Sequence, residues 1–451
     1  MRPILKGLLA AALLAPFSLS LAPLPAGAVT RPLYKAGPGT CGGFPRLPIG
    51  MRPGYCAGLV LGPISSVFGK RQIRMPRTLL PLDPQGRRWL VSDLGAWTAG
   101  KGAVWRITVE GGRLTKVEKL LSGLAMPHTL AFGPDGRVYL GEESRISAFD
   151  PNAADPMRTI QPVVSGLPAN HLHEDRHPLS SFIFDADGSL LIDVGAPSDQ
   201  CLDKSNVPVG KTRCEQSEGA EATAAIRRYA YLGGGRWSGS YTVLARGLRN
   251  SVAMARHFSG TLLQAENGAD FPTADEPYET INVITAGKHY GWPYCYDYDK
   301  ANAAWAPLKV MDCASSARAK PASLMAPHAA PLSMLYYRGP MFPDLNGKLV
   351  MSWHGYRATG SRIVAFSVDA KGVPVTKKGA RYPLDAGGKL AWKPITGGPG
   401  AEPIAITTAW RQAKGLRPTG APVGLAVAPD GAIWVADDRN GTIIRIAKDA
   451  P

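Results

Sequence analysis

Five carboxylates stand close together in one segment of an otherwise basic chain. They are Glu266, Asp270, Asp275, Glu276 and Glu279. The same segment offers the backbone carbonyls of Gly268 and Ala269, and flexible loops that are rich in oxygen donors suit Ca²⁺. The ligand spacing of an EF-hand is absent. The segment therefore predicts a calcium site, with a merely solvated acidic loop as the alternative.

Two other places carry side chains suited to chemistry. Arg249 and Asn250 stand together in the segment GLRNSV, where a fixed cation beside an amide can hold an anionic, carbonyl-rich ligand. A structural arginine that bridges neighbouring elements is the alternative. His177 closes the segment HLHEDRH directly before an apolar strand, a position that suits a general base. An inserted residue breaks the His-x-His-x-Asp-His spacing, which disfavours zinc; a loop histidine without a role is the other alternative.

An aromatic segment, KHYGWPYCYDYD, follows the acidic loop. Aromatic faces can stack on the C–H surfaces of a sugar, whereas packing of a long loop is the simpler explanation. The chain has no Cys-x-x-Cys-His haem attachment motif, no glycine-rich phosphate loop and no dinucleotide fingerprint. Nicotinamide chemistry and a covalently attached haem are therefore disfavoured.

A pattern that recurs six times must position these groups. In each copy an apolar strand runs into a turn at a glycine, and a second apolar strand follows. The turn glycines are Gly86, Gly136, Gly188, Gly260, Gly347 and Gly431. Repeats that cannot bury both faces alone stack around an axis. The chain is therefore predicted to be all-β, a six-bladed β-propeller with long inter-strand loops.

Propeller topology gathers the candidate groups on one face. Residues just before each first strand and just after each second strand emerge on the same side of the ring. That face is predicted to hold Arg77, His128, Arg176, His177, Arg249, Asn250, Glu266–Ala269, His328, His354 and the segment around Arg417. The last copy lacks a fourth strand, so the ring is expected to be closed by an N-terminal strand within residues 57–67.

The first residues have the composition of a secretory signal peptide. Arg2 and Lys6 precede an apolar run, and Ala26-Gly27-Ala28 supplies a small-residue cleavage site. We expect a signal peptide over residues 1–28 cleaved after Ala28, an N-terminal segment with the ring-closing strand over 29–69, and the propeller over 70–451. The expected location is the periplasm. The apolar run is too short for a comfortable membrane span, so the protein is not expected to be integral to a membrane.

Net charge indicates which binding partners are plausible, and the cysteines indicate disulfides. The formal net charge is +16, but the basic residues are scattered, which disfavours nucleic acid and leaves a generally positive surface or an acidic partner. Six cysteines in an exported chain indicate disulfides. They allow about 15 pairings, among which we prefer the local ones. These are Cys41 with Cys56, Cys201 with Cys214, and Cys295 with Cys313.

Taken together, these segments resemble the soluble pyrroloquinoline quinone (PQQ)-dependent glucose and sorbosone dehydrogenase family. The motifs GLRNSV, AENGAD, GKHYGWP, PHAAPLSMLYY and PVGLAVAPDGAIWVADD match in order, over roughly residues 70–446. The resemblance implies a propeller that holds PQQ and Ca²⁺ at the top of its axis. It implies that His177 is the general base and that Arg249 and Asn250 contact the cofactor. It also implies that the carbonyls of Gly268 and Ala269 bind Ca²⁺, to which we add Asp275, Glu276 and Glu279 as candidate ligands.

The chain departs from relatives at several positions. Arg176 precedes His177 where glucose dehydrogenases of the family carry Asp. Ala421 stands where many relatives have Arg before Pro-Val-Gly. We expect Arg357 and Arg417 to supply the missing positive charge to the carboxylates of the cofactor.

The activity that the resemblance implies is oxidation of a hydroxyl group of a sugar or a hydrated sugar aldehyde. His177 would accept the hydroxyl proton while hydride passes to the quinone, with Ca²⁺ and Arg249 stabilising the negative charge that develops. The electrons would leave to an external cytochrome or quinone, because the chain has no haem motif. The alternatives are a Ca²⁺-dependent lactonase or esterase, and a non-catalytic propeller that binds a sugar or a protein.

Overall fold

Antiparallel hairpins built around the six repeated glycines organise the chain. The computed structural model describes residues 37–62, 72–168, 177–178, 181–386, 389–410 and 420–449. The signal peptide prediction, Arg176 and Arg417 lie outside the described residues. All six turn glycines have positive φ, between 65° and 91°, a conformation that side chains with a Cβ rarely adopt. The repeat therefore marks real hairpins, as predicted.

The hairpins extend into six sheets, the blades, numbered here in chain order. Blade 1 comprises Pro76–Pro81, Arg88–Asp93, Gly102–Glu110 and Arg113–Leu124. Blade 2 comprises Thr129–Phe132, Val138–Gly141, Arg145–Phe149 and Gln161–Ser165. Blade 3 comprises Phe182–Phe184, Leu190–Val194, Ala225–Tyr229 and Thr242–Arg246, with Lys288–His289 added in parallel at its edge.

The second half of the ring repeats this order. Blade 4 comprises Ala253–Arg256, Leu262–Ala265, Tyr278–Val283 and Ser323–Pro327. Blade 5 comprises Pro331–Tyr336, Leu349–Trp353, Arg362–Phe366 and Ile404–Ala405. Blade 6 comprises Pro422–Val427, Ile433–Asp437, Thr442–Lys448 and Tyr55–Leu61, extended by Phe44–Leu47 and Thr40–Cys41. The protein is thus a six-bladed β-propeller, as predicted.

Short two-stranded sheets form in the segments outside the blade strands. They are Tyr231–Gly233 with Arg236–Trp237, Cys295–Tyr296 with Lys300–Ala301, Arg381–Ala386 with Lys389–Pro394, and Gly50–Met51 with Thr407–Ala409. In the described part of the chain, short 3₁₀ helices span Pro156–Thr159, Ala306–Leu308 and Pro343–Leu345. Among the described residues, no helix is long and apolar enough to cross a membrane.

An N-terminal strand closes the ring, as the incomplete last repeat predicted. Tyr55–Leu61 pairs antiparallel with Thr442–Lys448, and Ala57 stands opposite Ile446. The strand begins slightly before the expected range of 57–67. The Cys41–Cys56 disulfide links this strand to the earlier strand Thr40–Cys41. The Cys201–Cys214 and Cys295–Cys313 bridges are also present, so the preferred local pairing is confirmed.

The core lies between blades, and the axis stays open. At the junction of blades 6 and 1, Trp89 and Trp434 are stacked with ring centroids 4.2 Å apart, which buries a large apolar area on both sides of the contact. The first strands of all six blades line an axial channel of about 360 Å³. Neighbouring blades therefore pack face to face. The ends of their first strands surround the axial channel, where they can contact a ligand.

Candidate active site

Several of the residues predicted for one face lie at the ends of first and second blade strands, and some of them line the axial channel. Arg77 and His128 line the channel itself, together with Ser181 at the start of blade 3. In each blade the first strand begins beside the end of the second, because the two pair antiparallel. The end of the channel at which the first strands begin, here called the axial mouth, is where a ligand could touch several blades at once.

His177 stands at the entry to blade 3 and is almost completely buried, with 7% of its surface exposed. Its Nδ1 lies 2.5 Å from the carbonyl oxygen of Ala196. A carbonyl can only accept a hydrogen bond, so Nδ1 carries the proton and Nε2 is the basic nitrogen of the neutral ring. The strand-end loop of blade 3 thus fixes the tautomer that a general base requires.

Asn250 lies beside His177. A Cβ placed on Gly195 would stand 2.5 Å from the Cβ of His177 and 3.4 Å from Oδ1 of Asn250. Only a glycine there lets the two side chains approach the same backbone. Oδ1 of Asn250 is buried and has no hydrogen-bond partner among the described residues. A buried acceptor without a donor is costly, and here it adjoins the candidate base.

Arg249 is held rigidly on the opposite side of the same strand start. Its Nη2 donates to Oδ1 of Asp199 at 2.6 Å, and its Nε donates to the Asp199 carbonyl at 3.1 Å. Its Nη1 donates to the carbonyl of Asn267 at 2.9 Å. Burial would raise the pKa of Asp199, but Arg249 and the Asp270 amide lower it below its ordinary value. The guanidinium therefore joins blade 4 to the loop between the second and third strands of blade 3.

The turn after the second strand of blade 4 is held by two buried carboxyl groups. Glu279 accepts from the Gly268 amide at 2.5 Å and from the Ala330 amide at 3.1 Å. Glu266 accepts from the Asn250 amide at 3.0 Å. Burial raises the pKa of Glu279 to about 8 and that of Glu266 to about 7. These carboxyl groups fix the backbone that presents the Gly268 and Ala269 carbonyls.

The other predicted calcium ligands point elsewhere. Asp275 is exposed and pairs with Lys393 at 2.5 Å. Glu276 pairs with Lys300 at 3.2 Å. Within the described ranges, no group of three or more His, Cys, Asp or Glu side chains could hold a metal ion. The structure therefore gives Asp275 and Glu276 lysine partners and does not join them to Glu279.

Arg357, expected to contact the cofactor, reaches the acidic loop. Its Nη2 donates to the carbonyl of Phe271 at 2.8 Å, and its Nη1 donates to the carbonyl of Thr273. Nε2 of His328 lies 2.7 Å from the same Thr273 carbonyl. In this arrangement Arg357 and His328 hold the acidic loop, and the guanidinium is engaged with protein carbonyls.

Two carboxylates near the axial mouth, Asp199 and Asp438, were not predicted from the sequence. Asp199 lies in the loop between the second and third strands of blade 3, and no pattern in the sequence distinguishes it. Asp438 follows the second strand of blade 6 directly, so the rule that selected His354 could have selected it too. Asp438 accepts from Nη1 of Arg77 at 2.6 Å and lies 3.0 Å from Nε2 of His354. Burial opposes ionisation of Asp438, but His354 and Arg77 lower its pKa below the ordinary value.

Comparisons with known proteins agree with this architecture. The Glucose / Sorbosone dehydrogenase family model matches residues 155–378. No curated protein sequence matches the chain. A calcium structure of a Trichoderma reesei carbohydrate-active enzyme of family AA12 is 19% identical, with a TM-score of 0.63, covering 93% of this chain and 98% of its own.

Two further solved structures have the same fold. The holo form of the PQQ domain of Coprinopsis cinerea pyranose dehydrogenase is 18% identical, with a TM-score of 0.62, covering 91% of this chain and 99% of its own. The apo form of soluble aldose sugar dehydrogenase from Escherichia coli is 14% identical, with a TM-score of 0.53, covering 88% and 100%. The resemblance to the glucose/sorbosone dehydrogenase family that the motifs indicated is therefore confirmed, over a region that contains His177, Arg249 and the acidic loop.

Proposed function

We propose that the protein is a PQQ-dependent dehydrogenase that oxidises a hydroxyl group of a sugar or sugar aldehyde. The observation that carries this proposal is the pairing of His177 with Asn250 at the axial mouth, where a base of fixed tautomer adjoins a buried acceptor. The family match covers both residues. A sugar offers the hydroxyl hydrogens that such a pair would bind.

The residues of the mouth fit the cofactor. PQQ carries carboxylates and carbonyls, and the mouth offers buried nitrogen donors on Arg77 and Arg249. The Nε of Arg77 is buried without a partner among the described residues. When bound, PQQ would supply the two-electron acceptor that no protein side chain provides.

The chain's own contribution is a proton acceptor and a fixed field. His177 would take the proton of the substrate hydroxyl at Nε2, because Nδ1 is committed to the Ala196 carbonyl. Asn250 would accept a hydrogen bond from a second ligand group through Oδ1. Arg249 would add positive charge in an orientation that Asp199 and Asn267 already fix, so little reorganisation is needed during reaction.

Calcium fits the turn after the second strand of blade 4. The carbonyls of Gly268 and Ala269 are hard oxygen donors of the type that Ca²⁺ prefers, and Glu279 holds the turn that carries them. The Ala269 carbonyl accepts the Phe271 amide at 3.0 Å, which leaves it a second lone pair. Bound Ca²⁺ would supply positive charge beside the cofactor.

The remaining parts of the proposal concern the cell. The predicted signal peptide and the three disulfides favour an exported, periplasmic protein. The electrons would pass to an external cytochrome or quinone. The domain division is proposed as before, with the propeller following a short N-terminal segment that supplies the closing strand.

The experiment reconstitutes the mature chain with PQQ and Ca²⁺ and measures dye-linked oxidation of a panel of sugars. We expect activity that is lost when either component is omitted. His177→Ala should bind PQQ normally but lower kcat by about 10²- to 10⁴-fold. The matched control is His257→Gln, at a hairpin turn on the opposite face, which should keep full activity. Activity without PQQ, or hydrolysis of lactones instead, would refute the proposal.

A further inference from the structure

Arg77 is a buried cation at the axial mouth that the proposed proton transfer does not use. It lies in the first strand of blade 1 and is 4% exposed. Its Nη1 donates to Oδ2 of Asp438 at 2.6 Å. Within the described part of the chain, its Nε has no hydrogen-bond partner. A buried guanidinium nitrogen without an acceptor is costly, and Arg77 lines the channel into which a ligand would descend.

Asp438 and His354 keep this guanidinium in place. Asp438 is 5% exposed and contacts Arg77 through one carboxylate oxygen and His354 through the other. The three residues come from blades 1, 6 and 5, so the cluster spans three successive blades. Because Asp438 is already shared with His354, it cannot also saturate the guanidinium, which presents several donors in a planar fork.

The orphaned atoms of the mouth are complementary and lie on opposite walls. Blades 1 and 4 stand across the axis from each other in a ring of six. Blade 1 contributes the donor Nε of Arg77, and the entry to blade 4 contributes the acceptor Oδ1 of Asn250. A ligand that satisfies both presents an acceptor toward blade 1 and a hydroxyl toward blade 4, beside His177.

We propose that Arg77 is a carboxylate-binding residue, held by Asp438 and His354, and that the ligand in the mouth directs a carboxylate toward blade 1. A carboxylate suits a guanidinium fork better than a neutral oxygen does. The inference rests on the proposed function for the identity of the ligands. The carboxylate belongs either to PQQ or to an acidic sugar such as a uronate, and the two sources are separated by experiment.

The first arm measures PQQ binding to the apo protein with Ca²⁺, by quenching of tryptophan fluorescence. Arg77→Gln should weaken binding by about 10- to 100-fold, the usual effect of losing a charge-assisted hydrogen bond, and Arg77→Lys should fall between. The control is Arg158→Gln, which removes the same charge from a side chain that is 88% exposed. It should bind PQQ as the wild type does.

The second arm compares KM for glucuronate and glucose at saturating PQQ. If Arg77→Gln leaves PQQ affinity unchanged but raises KM about tenfold for glucuronate alone, the carboxylate is the substrate's and the inference stands. If neither PQQ affinity nor the KM for glucuronate changes, the inference is overturned. Should Arg77→Gln fail to fold, the inference is tested on the wild type alone. It then requires that PQQ bind more tightly than its trimethyl ester, or that glucuronate have a lower KM than glucose. If neither holds, the inference is overturned.

Failure of the proposed function is distinguishable from failure of this inference. Wild-type protein that binds no PQQ would refute the function. The Arg77 assignment would then be judged by the thermal shift that glucuronate causes. A rise in Tm with glucuronate but not glucose, lost in Arg77→Gln, would support it, whereas no rise in the wild type would overturn it.

Discussion

At the scale of single residues, each polar group of the axial mouth is defined by its partner. Ala196 decides which nitrogen of His177 is basic, and Asp199 decides where the Arg249 guanidinium points. The same principle applies to Asp438, which orients Arg77 and His354 together. Substitution of a residue that orients another should therefore lower the unfolding free energy and displace its partner, and any effect on the reaction should follow from that displacement.

Asp438→Asn tests this at the cluster between blades 5, 6 and 1. The pKa of Asp438 in the folded protein lies below its ordinary value. Its carboxylate therefore stabilises the fold above the unfolded pKa of about 3.9, and this contribution is lost as pH falls through the lower folded pKa. We expect the variant to lose about 3 kcal/mol of unfolding free energy at pH 7, because Arg77 is left buried without its counter-ion.

Denaturant unfolding of both proteins between pH 7 and pH 3 measures the difference. It should shrink as the wild-type carboxylate is protonated at acid pH. Asp155→Asn is the control, since Asp155 forms an exposed pair with Arg158 that should contribute less than about 1 kcal/mol. A difference between wild type and Asp438→Asn that stays constant with pH would contradict the assignment.

At the scale of elements, hairpins determine the fold and loops determine the site. The strand–glycine–strand pattern was sufficient to predict six blades, because each hairpin has a local signature in two apolar strands and a turn. The acidic loop was only partly predictable. Its carboxylates are clustered in sequence, yet Glu279 turns inward while Asp275 pairs with Lys393 on the surface. Clustering in sequence does not specify direction once the backbone leaves a regular strand.

Removing one disulfide at a time distinguishes the contribution of the ring-closing strand from that of the loop between the second and third strands of blade 3. Replacing Cys41 and Cys56 by serine opens a loop with a separation of 15 residues and should cost about 3 kcal/mol of stability, with PQQ affinity unchanged. Replacing Cys201 and Cys214, with a separation of 13, should cost a similar free energy. It should also weaken PQQ binding, because Asp199, the partner of Arg249, directly precedes this bridged segment in the same inter-strand loop.

Denaturant unfolding and PQQ titration of the two double variants check this contrast. Each variant is the control for the other, since the two loops are similar in length. Equal PQQ affinity in both variants would show that the 201–214 bridge does not support the position of Arg249.

At the scale of the whole molecule, the propeller converts distant sequence positions into one site. Residues 77, 177 and 250 lie at or before the starts of first strands, and residues 354 and 438 directly follow second strands, so five blades contribute side chains to the same mouth. This convergence was predictable from topology alone. The partners Asp199 and Asp438 were not predicted. Asp199 lies in an irregular loop, which has no period, and the sequence does not show that Asp438 contacts both Arg77 and His354.

The proposed function requires that the axial mouth receives the quinone. The most direct measurement is a crystal structure of the protein soaked with PQQ and Ca²⁺. We expect difference density at the axial mouth, with a ligand atom in hydrogen-bond contact with Oδ1 of Asn250 and Ca²⁺ on the Gly268 and Ala269 carbonyls. Density at any other place on the protein, or a mouth filled only by water at saturating PQQ, would contradict it.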